Sequence, residues 1–356
     1  MKKNKVIHFV LSGILFGILY STTYAQKIEY PDGRPSASLR MNFIDEGIVL
    51  HYGDGRDSCD TYGAREAVVN KENGIYYLFY DGAGKKGWIS CLAESRDLHT
   101  WTKKGTILTL GDSIKNDHKS ASSPWVIKEN NTWHMFYIGT PNTTPAPYRI
   151  PAFPYLTMKA RSAALSGPWK KQYDVTPLPP RANSYYTVTS SPGFIVKNKN
   201  EYLMFFSGAT QDSLGIRRTL GLARTDNLNK SWVIENEPLF PLSEQIENSS
   251  LYYEETSKTW FLFTNHIGID KSGSEYTDAI WVYWSKDINK WNREDKAVAM
   301  DSSNSIWARG AIGMPTVIKA GNRLALLYDA AEGASKDHMR RSIALAWIGL
   351  PLKIPD

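Results

Sequence analysis

Five times along the chain an aromatic-rich stretch of one design recurs, at intervals of about sixty residues: YYLFY from Tyr76, WHMFY from Trp133, YLMFF from Tyr202, WFLFT from Trp260 and LALLY from Leu324. Before each copy, across a polar turn such as Asn70-Lys71-Glu72-Asn73-Gly74, stands a β-branched or aromatic run: AVV at Ala67, PWVI at Pro124, PGFIV at Pro192, SLYY at Ser250 and PTVI at Pro315. After each copy a third strand follows, and in four of the five it leads to a tryptophan: Trp101, Trp169, Trp232 and Trp291. The fifth, SIALAWIGLPL, stops short at the C-terminus. A repeat built only of strands cannot bury both faces of one unit until neighbours stack around an axis. The expected fold is therefore all-β, a five-bladed β-propeller.

The 356 residues exceed the usual single-core size, but a propeller spreads burial over radial blades, so residues 26–356 are expected to form one domain. Residues 1–25 read as a secretory signal: Lys2, Lys3 and Lys5 form a basic start, Val6 to Leu19 an apolar stretch too short to span a bilayer, and Thr23-Tyr24-Ala25 a small-residue exit before Gln26. No cysteine follows that stretch, which argues against a lipid anchor and for a periplasmic or extracellular location. Removing those three lysines lowers the formal charge from +6 to +3. Basic residues are scattered among acids without a stripe or a DNA-reading motif, so neither nucleic acid nor, after cleavage, a membrane is an expected partner. Export would permit a bond between Cys59 and Cys91, the only cysteines, although a buried thiol explains Cys91 equally well.

Antiparallel geometry brings the start of the first strand, the end of the second and the start of the third of each blade to one face. The long connections on that face carry unusual residues, where rigid scaffolds usually place function. The first blade enters through Asp54, Asp57, Asp60, Arg65 and Glu66, the second through Asp117 and His118, the fourth through Glu247 and Asn248, and the fifth through Arg309. Second-strand exits add Asp81, Asn265, His266 and Asp329. Glu66 aligns with Pro124, Pro192 and Pro315 of other copies; an ion pair with Arg65 or Arg309 is the structural alternative to a catalytic role. Glu247 stands two before Ser249, where other copies have Ser122 and Ser190. No closely spaced His/Cys/carboxylate cluster, EF-hand spacing or phosphate loop is present, so no metal or cofactor is expected. The proline- and aromatic-rich insert from Pro141 to Tyr155 should form a stiff wall on which sugar rings can stack.

The inner strand, polar turn and YYLFY, followed by A-x-S-x-D-L-x-x-W, stand here as AVVNKENGIYYLFYDG and LAESRDLHTW. This pattern resembles the five-bladed glycosidases of families 43, 32, 62, 68, 117 and 130, over roughly residues 45–350. Many of those enzymes carry Asp-Pro at the first inner strand as base or nucleophile and Glu-x-Pro at a later one as acid. The resemblance implies Glu247 as acid, in Glu247-Asn248-Ser249 with serine for proline, and Glu66 as base or nucleophile with Asp60 as substitute. Arg65 and His266 would hold hydroxyls, and Asp117 or His118 would tune the acid. The expected activity is hydrolysis of a glycosidic bond in a plant, algal or host-derived oligosaccharide. A phosphorylase using Arg217-Arg218 and His338 with Arg340-Arg341 as a phosphate cradle, and a non-catalytic sugar-binding propeller, are the alternatives.

Overall fold

The computed structural model describes residues 37–213, 215–270 and 273–356. The signal segment lies outside the described residues. Among the described residues the only helical turns are the short 3₁₀ segments Arg56–Ser58 and Leu242–Glu244, and no helix is long and apolar enough to cross a membrane. The rest of the regular structure is strand.

Strand pairing resolves the chain into antiparallel units of four. The first unit is Ala64–Glu72, Ile75–Gly84, Gly87–Ser95 and Thr102–Leu108; the second is Ser120–Glu129, Thr132–Thr140, Leu156–Ser162 and Lys170–Lys171. The third is Thr189–Asn198, Glu201–Asp212, Gly215–Thr225 and Val233–Ile234; the fourth is Ile246–Glu254, Thr259–His266, Ala279–Ser285 and Lys296–Asp301. In the last, Ile312–Ala320, Arg323–Ala331 and Arg341–Gly349 are completed by Ile44–Leu50 from the other end of the chain. That supplies the strand the fifth repeat lacks. A short parallel pairing, Trp88 with Ser120 and Ile89 with Ala121, joins the first two units into one eight-stranded sheet.

Each repeated aromatic stretch occupies the second strand of its unit, and its buried side chains pack on the neighbouring units. One apolar cluster joins Phe79 and Leu92 to Val126 and Met135, another Phe136 to Met204 and Phe206, and a third Leu203 and Phe205 to Leu262 and Trp281. The fourth unites Phe261 and Phe263 with Leu326 and Tyr328, and the last brings Leu327 and Leu345 of the fifth unit against Leu78 and Tyr80 of the first. Every unit thus buries both faces of its sheet. The recurrent tryptophans belong to the same packing: Trp169, Trp232 and Trp291 each meet a phenylalanine of the preceding unit edge-on, with ring centroids 6.2, 5.5 and 6.3 Å from Phe79, Phe136 and Phe205. The S-x-D-L-x-x-W turn that presents Trp101 is held by the Asp97 carboxylate. It accepts the His99 and Thr100 N–H groups at 2.9 and 2.8 Å, which bring the acid down to about 2.

All five inner strands carry a β-bulge at one equivalent place, between Arg65 and Val68, Ser122 and Trp125, Ser191 and Phe194, Glu247 and Ser250, and Gly313 and Thr316. At four of them the first extra residue has a left-handed backbone: Glu66 (φ 51°), Ser123 (49°), Asn248 (65°) and Met314 (53°). Pro192, whose ring holds φ negative, occupies the fifth. This register corrects the sequence alignment. Of the three prolines matched with Glu66 only Pro192 is its counterpart; Pro124 and Pro315 align with Ala67, and Glu247 aligns with Ser122 and Ser191, one residue beyond Ser190.

A bulge removes an N–H from the ladder, and here the next sheet supplies the acceptor. Asp81 accepts the Ser123 N–H, Ser207 the Asn248 N–H at 2.9 Å, Asn265 the Met314 N–H at 2.8 Å, and Asp329 of the fifth unit the Glu66 N–H of the first at 2.9 Å. This belt of side-chain acceptors fixes the inner strands against each other.

Candidate active site

Starts of inner strands, ends of second strands and starts of third strands line one open cavity. Glu66 and Arg65 reach it from the first unit, Ser123 from the second, Arg218 from the third and Glu247 from the fourth; His338 and Arg341 come from the fifth. The Pro141–Tyr155 insert forms a wall, with Ile150, Pro151 and Tyr155 facing the cavity. Trp88 anchors this wall by donating its indole N–H to the Tyr148 carbonyl at 3.0 Å.

On one side stands a relay of Asp81, Ser123 and Glu66. The Ser123 hydroxyl lies 3.0 Å from Asp81 Oδ2 and is also hydrogen-bonded to Glu66 Oε2. A single hydroxyl proton cannot serve both carboxylates, so one carboxyl must itself be a donor. Asp81, 1% exposed, is pushed well above the usual carboxylate range by burial and then by the Glu66 charge. Glu66 is raised too, by burial and by the Asp329 charge, with Arg65, the Ser123 hydroxyl and Arg341 opposing that shift in part.

Across the cavity Glu247 receives a 2.7 Å hydrogen bond from Arg218 Nη1. That guanidinium alone would hold Glu247 ionised, but it is shared. Its Nη2 and Nε donate to the Glu275 carboxylate at 2.6 and 3.2 Å, so a second acid takes up its charge. Burial raises Glu247, Arg218 opposes, and the charges of Glu275 and Glu66 add to the rise. The cavity therefore holds two carboxyls in different electrostatic settings, each within reach of the same ligand.

Other residues singled out in the sequence lie elsewhere. Asp60 does not line the cavity; it is fully buried, paired with Lys103 Nζ at 2.6 Å, and accepts from the Gly55 N–H at 2.8 Å and the Tyr80 hydroxyl at 3.4 Å. Asp117 repeats this arrangement with Lys171 and the Tyr137 hydroxyl at 2.8 Å. Glu244 repeats it again with Lys296 at 3.0 Å and Tyr283 at 3.0 Å. In all three an acid on the connection entering a unit is neutralised by a lysine of a fourth strand, which is an anchor for the connection. His118 faces the Lys115 carbonyl at 2.7 Å, and exposed Arg309 bonds the Ala308 carbonyl at 3.0 Å, so the proposed Arg309 partner of Glu66 is absent there. His266 is buried outside the cavity lining, stacked on Trp281 with centroids 4.1 Å apart and bonded to the Tyr283 hydroxyl at 2.8 Å. Asn265 and Asp329 lie behind the lining as members of the bulge belt, whereas Asp81 reaches the cavity as well. Cys59 and Cys91 are both buried free thiols. Among the described residues no group of His, Cys, Asp and Glu is arranged to hold a metal. Ser123, Glu275 and Tyr155 were not marked individually by sequence; Glu275 sits in a short hairpin between the second and third strands of the fourth unit, the place that the Pro141–Tyr155 insert takes in the second.

No family model and no curated protein matches the chain. Its likeness is to solved structures. One, described as a glycoside hydrolase, shares 15% identity with a TM-score of 0.66 over 88% of this chain and 94% of its own. The catalytic domain of the family 62 α-L-arabinofuranosidase of Coprinopsis cinerea shares 14% identity with a TM-score of 0.58, covering 86% of this chain and 96% of that one. Zg3597, a family 117 glycoside hydrolase from the marine bacterium Zobellia galactanivorans, gives 15%, 0.56, 85% and 90% in the same terms. The chain shares the fold of these proteins.

Proposed function

We propose that the protein is a glycosidase whose five four-stranded units are the blades of a propeller, with Glu247 as general acid and Glu66 as base or nucleophile. The observation that carries this reading is that Glu66 and Glu247, from the first and fourth units, line one cavity. Glycosidic cleavage needs one carboxyl protonated to release the leaving oxygen and one ionised to attack the anomeric carbon or activate water. Glu247, half-buried and with its arginine shared, fits the first role. Glu66, receiving the Ser123 hydroxyl hydrogen bond and flanked by Arg65, fits the second. The substrate would be a glycoside or oligosaccharide, stacked against the wall formed by the insert, and the protein would act after export.

Arg218, His338 and Arg341 also line the cavity, which is the observation favouring phosphorolysis. Arg218 is committed to two carboxylates, and this weighs against a free-phosphate cradle at that point.

The test is turnover of a panel of aryl glycosides and plant and algal oligosaccharides, with and without inorganic phosphate. Glu66→Gln and Glu247→Gln should each lower kcat by about a thousandfold or more with unchanged melting curves, since acid–base catalysis alone typically supplies 10²–10⁴. Glu247→Gln should regain much of its rate on a nitrophenyl glycoside, whose leaving group needs no proton, and Glu66→Gln should not. Absolute phosphate dependence, or full activity in both variants, would overturn the assignment.

A further inference from the structure

Arg65 and Arg341 are 4% and 1% exposed, both line the cavity, and most of their hydrogen-bonding capacity is unused. A guanidinium carries five N–H donors. Arg65 Nη1 faces a neutral partner, His338 Nδ1, at 3.1 Å; its Nε is buried without a hydrogen bond, 3.7 Å from Asp329 Oδ2. Arg341 uses Nε on the Asp337 carbonyl at 3.0 Å and Nη1 on Asp329 Oδ1 at 2.8 Å. Neither Nη2 has an acceptor among the described residues, and no guanidinium N–H is bonded to Glu66.

Two guanidiniums share the single carboxylate of Asp329, whose Oδ2 already accepts the Glu66 N–H. His338 adds no charge: accepting from Arg65 requires a bare Nδ1, and burial with the two neighbouring arginines takes its pKa down to about 3. Burial and the Arg65 charge bring Arg341 down to about 10, the mark of two cations held close together. Of the unpaired donors only Arg65 Nε is enclosed; the two Nη2 groups belong to side chains that line the cavity, where an arriving acceptor can reach them.

We propose that Arg65 and Arg341 seat a carboxylate carried by the substrate sugar, so that the cavity takes acidic glycosides such as hexuronosides. The proposal rests on the glycosidase reading for its substrate class. A planar carboxylate matches the fork geometry of the guanidinium donors that Asp329 and Glu66, which balance their charge, leave unbonded. Trp88, whose ring lies 5.2 Å from Arg65 Cζ, keeps that guanidinium in place from the other face.

The experiment is calorimetric titration of the full chain with glucuronate and galacturonate, with glucose and galactose, and with inorganic phosphate and sulfate, each at low and high salt. Wild type should bind at least one hexuronate tighter than its neutral hexose by about tenfold to a hundredfold, the worth of charged hydrogen bonds in a buried site. The preference should shrink with salt, vanish in Arg341→Gln and survive in part in Arg341→Lys. Equal affinity for hexuronate and hexose would make the pair a hydroxyl-binding site, and binding of phosphate or sulfate without hexuronate would make it a free-anion site; either result overturns the proposal. Should Arg341→Gln fail to give a native melting curve, the wild-type comparison alone decides. A hexuronate preference without turnover would leave this inference standing and remove the glycosidase reading. Turnover of neutral glycosides with no hexuronate preference would do the reverse.

Discussion

Pro192 takes the bulge position and Ile138 the acceptor position at the one inner junction where the belt of bulge acceptors is missing, and each lacks what the other would have needed. At the other four junctions a side chain at the Ile138 position of one unit, namely Asp81, Ser207, Asn265 or Asp329, accepts the bulge N–H of the next. Pro192 has no N–H to donate, and Ile138 has no atom to accept one. The gap is complementary, so nothing buried is left unpaired.

Restoring the donor alone should therefore cost stability. Pro192→Ala places an N–H against Ile138, with an expected loss of about 1–3 kcal/mol in denaturant unfolding. Part of any loss reflects a looser unfolded chain, so the informative measurement is the double-mutant cycle with Ile138→Asn. The asparagine should recover much of the loss, as Asn265 serves Met314. Strict additivity would show that the belt contributes nothing there.

Acids outside the cavity should behave differently from those inside it. Asp117→Asn leaves the half-buried Lys171 without its ion-pair partner, a loss of up to about 3–5 kcal/mol, whereas Asp60→Asn leaves Lys103 still paired with Asp54 and should cost less. Both variants should melt lower while kcat, measured on the protein still folded, stays within severalfold of wild type. Loss of turnover at unchanged stability would return Asp60 to candidacy as the base.

The repeat made the strands legible because aromatic and β-branched runs between polar turns have few alternative packings, and Glu247 was legible from its frame beside Ser249. The bulges were not. Glu66, Ser123, Asn248 and Met314 adopt positive φ without being glycine, so the run was aligned as if the ladder were unbroken and Glu66 was set beside Pro124 and Pro315. Asp60 and Asp117 read as candidates for the functional face because Lys103 and Lys171, which pair with them, lie 43 and 54 residues further on. Arg218 was noted as a possible phosphate ligand, but its sharing between Glu247 and Glu275 depends on an insert outside the repeat.

The mature chain is expected to begin at or near Gln26, because a basic start, a short apolar core and Thr23-Tyr24-Ala25 fit signal cleavage. Intact mass of the protein recovered from the periplasm or medium checks this. Exported protein that retains Lys2 to Lys5 would refute it.

Glu275 should set the pH range of the reaction through Arg218. With Glu275 ionised, the guanidinium charge is divided between two carboxylates, and Glu247 keeps its proton to higher pH than an exposed glutamate would. Glu275→Gln removes that competing charge while leaving a group able to accept from Arg218. Arg218 then favours the ionised form of Glu247, whose pKa must fall. The general acid is active only while protonated, so the alkaline limb of the kcat profile should move to lower pH, and turnover at neutral pH should drop most for substrates with poor leaving groups. Nitrophenyl glycosides, which need little protonation, should be spared. The same sign governs stability. A carboxyl raised in the folded protein binds its proton more tightly there than in the unfolded chain, so it makes stability fall as pH rises from the ordinary glutamate value through the folded one. Lowering the Glu247 pKa should flatten that decline in Glu275→Gln. A uniform loss of kcat at every pH, with the limb unmoved, would mean that Glu275 only supports the shape of the cavity.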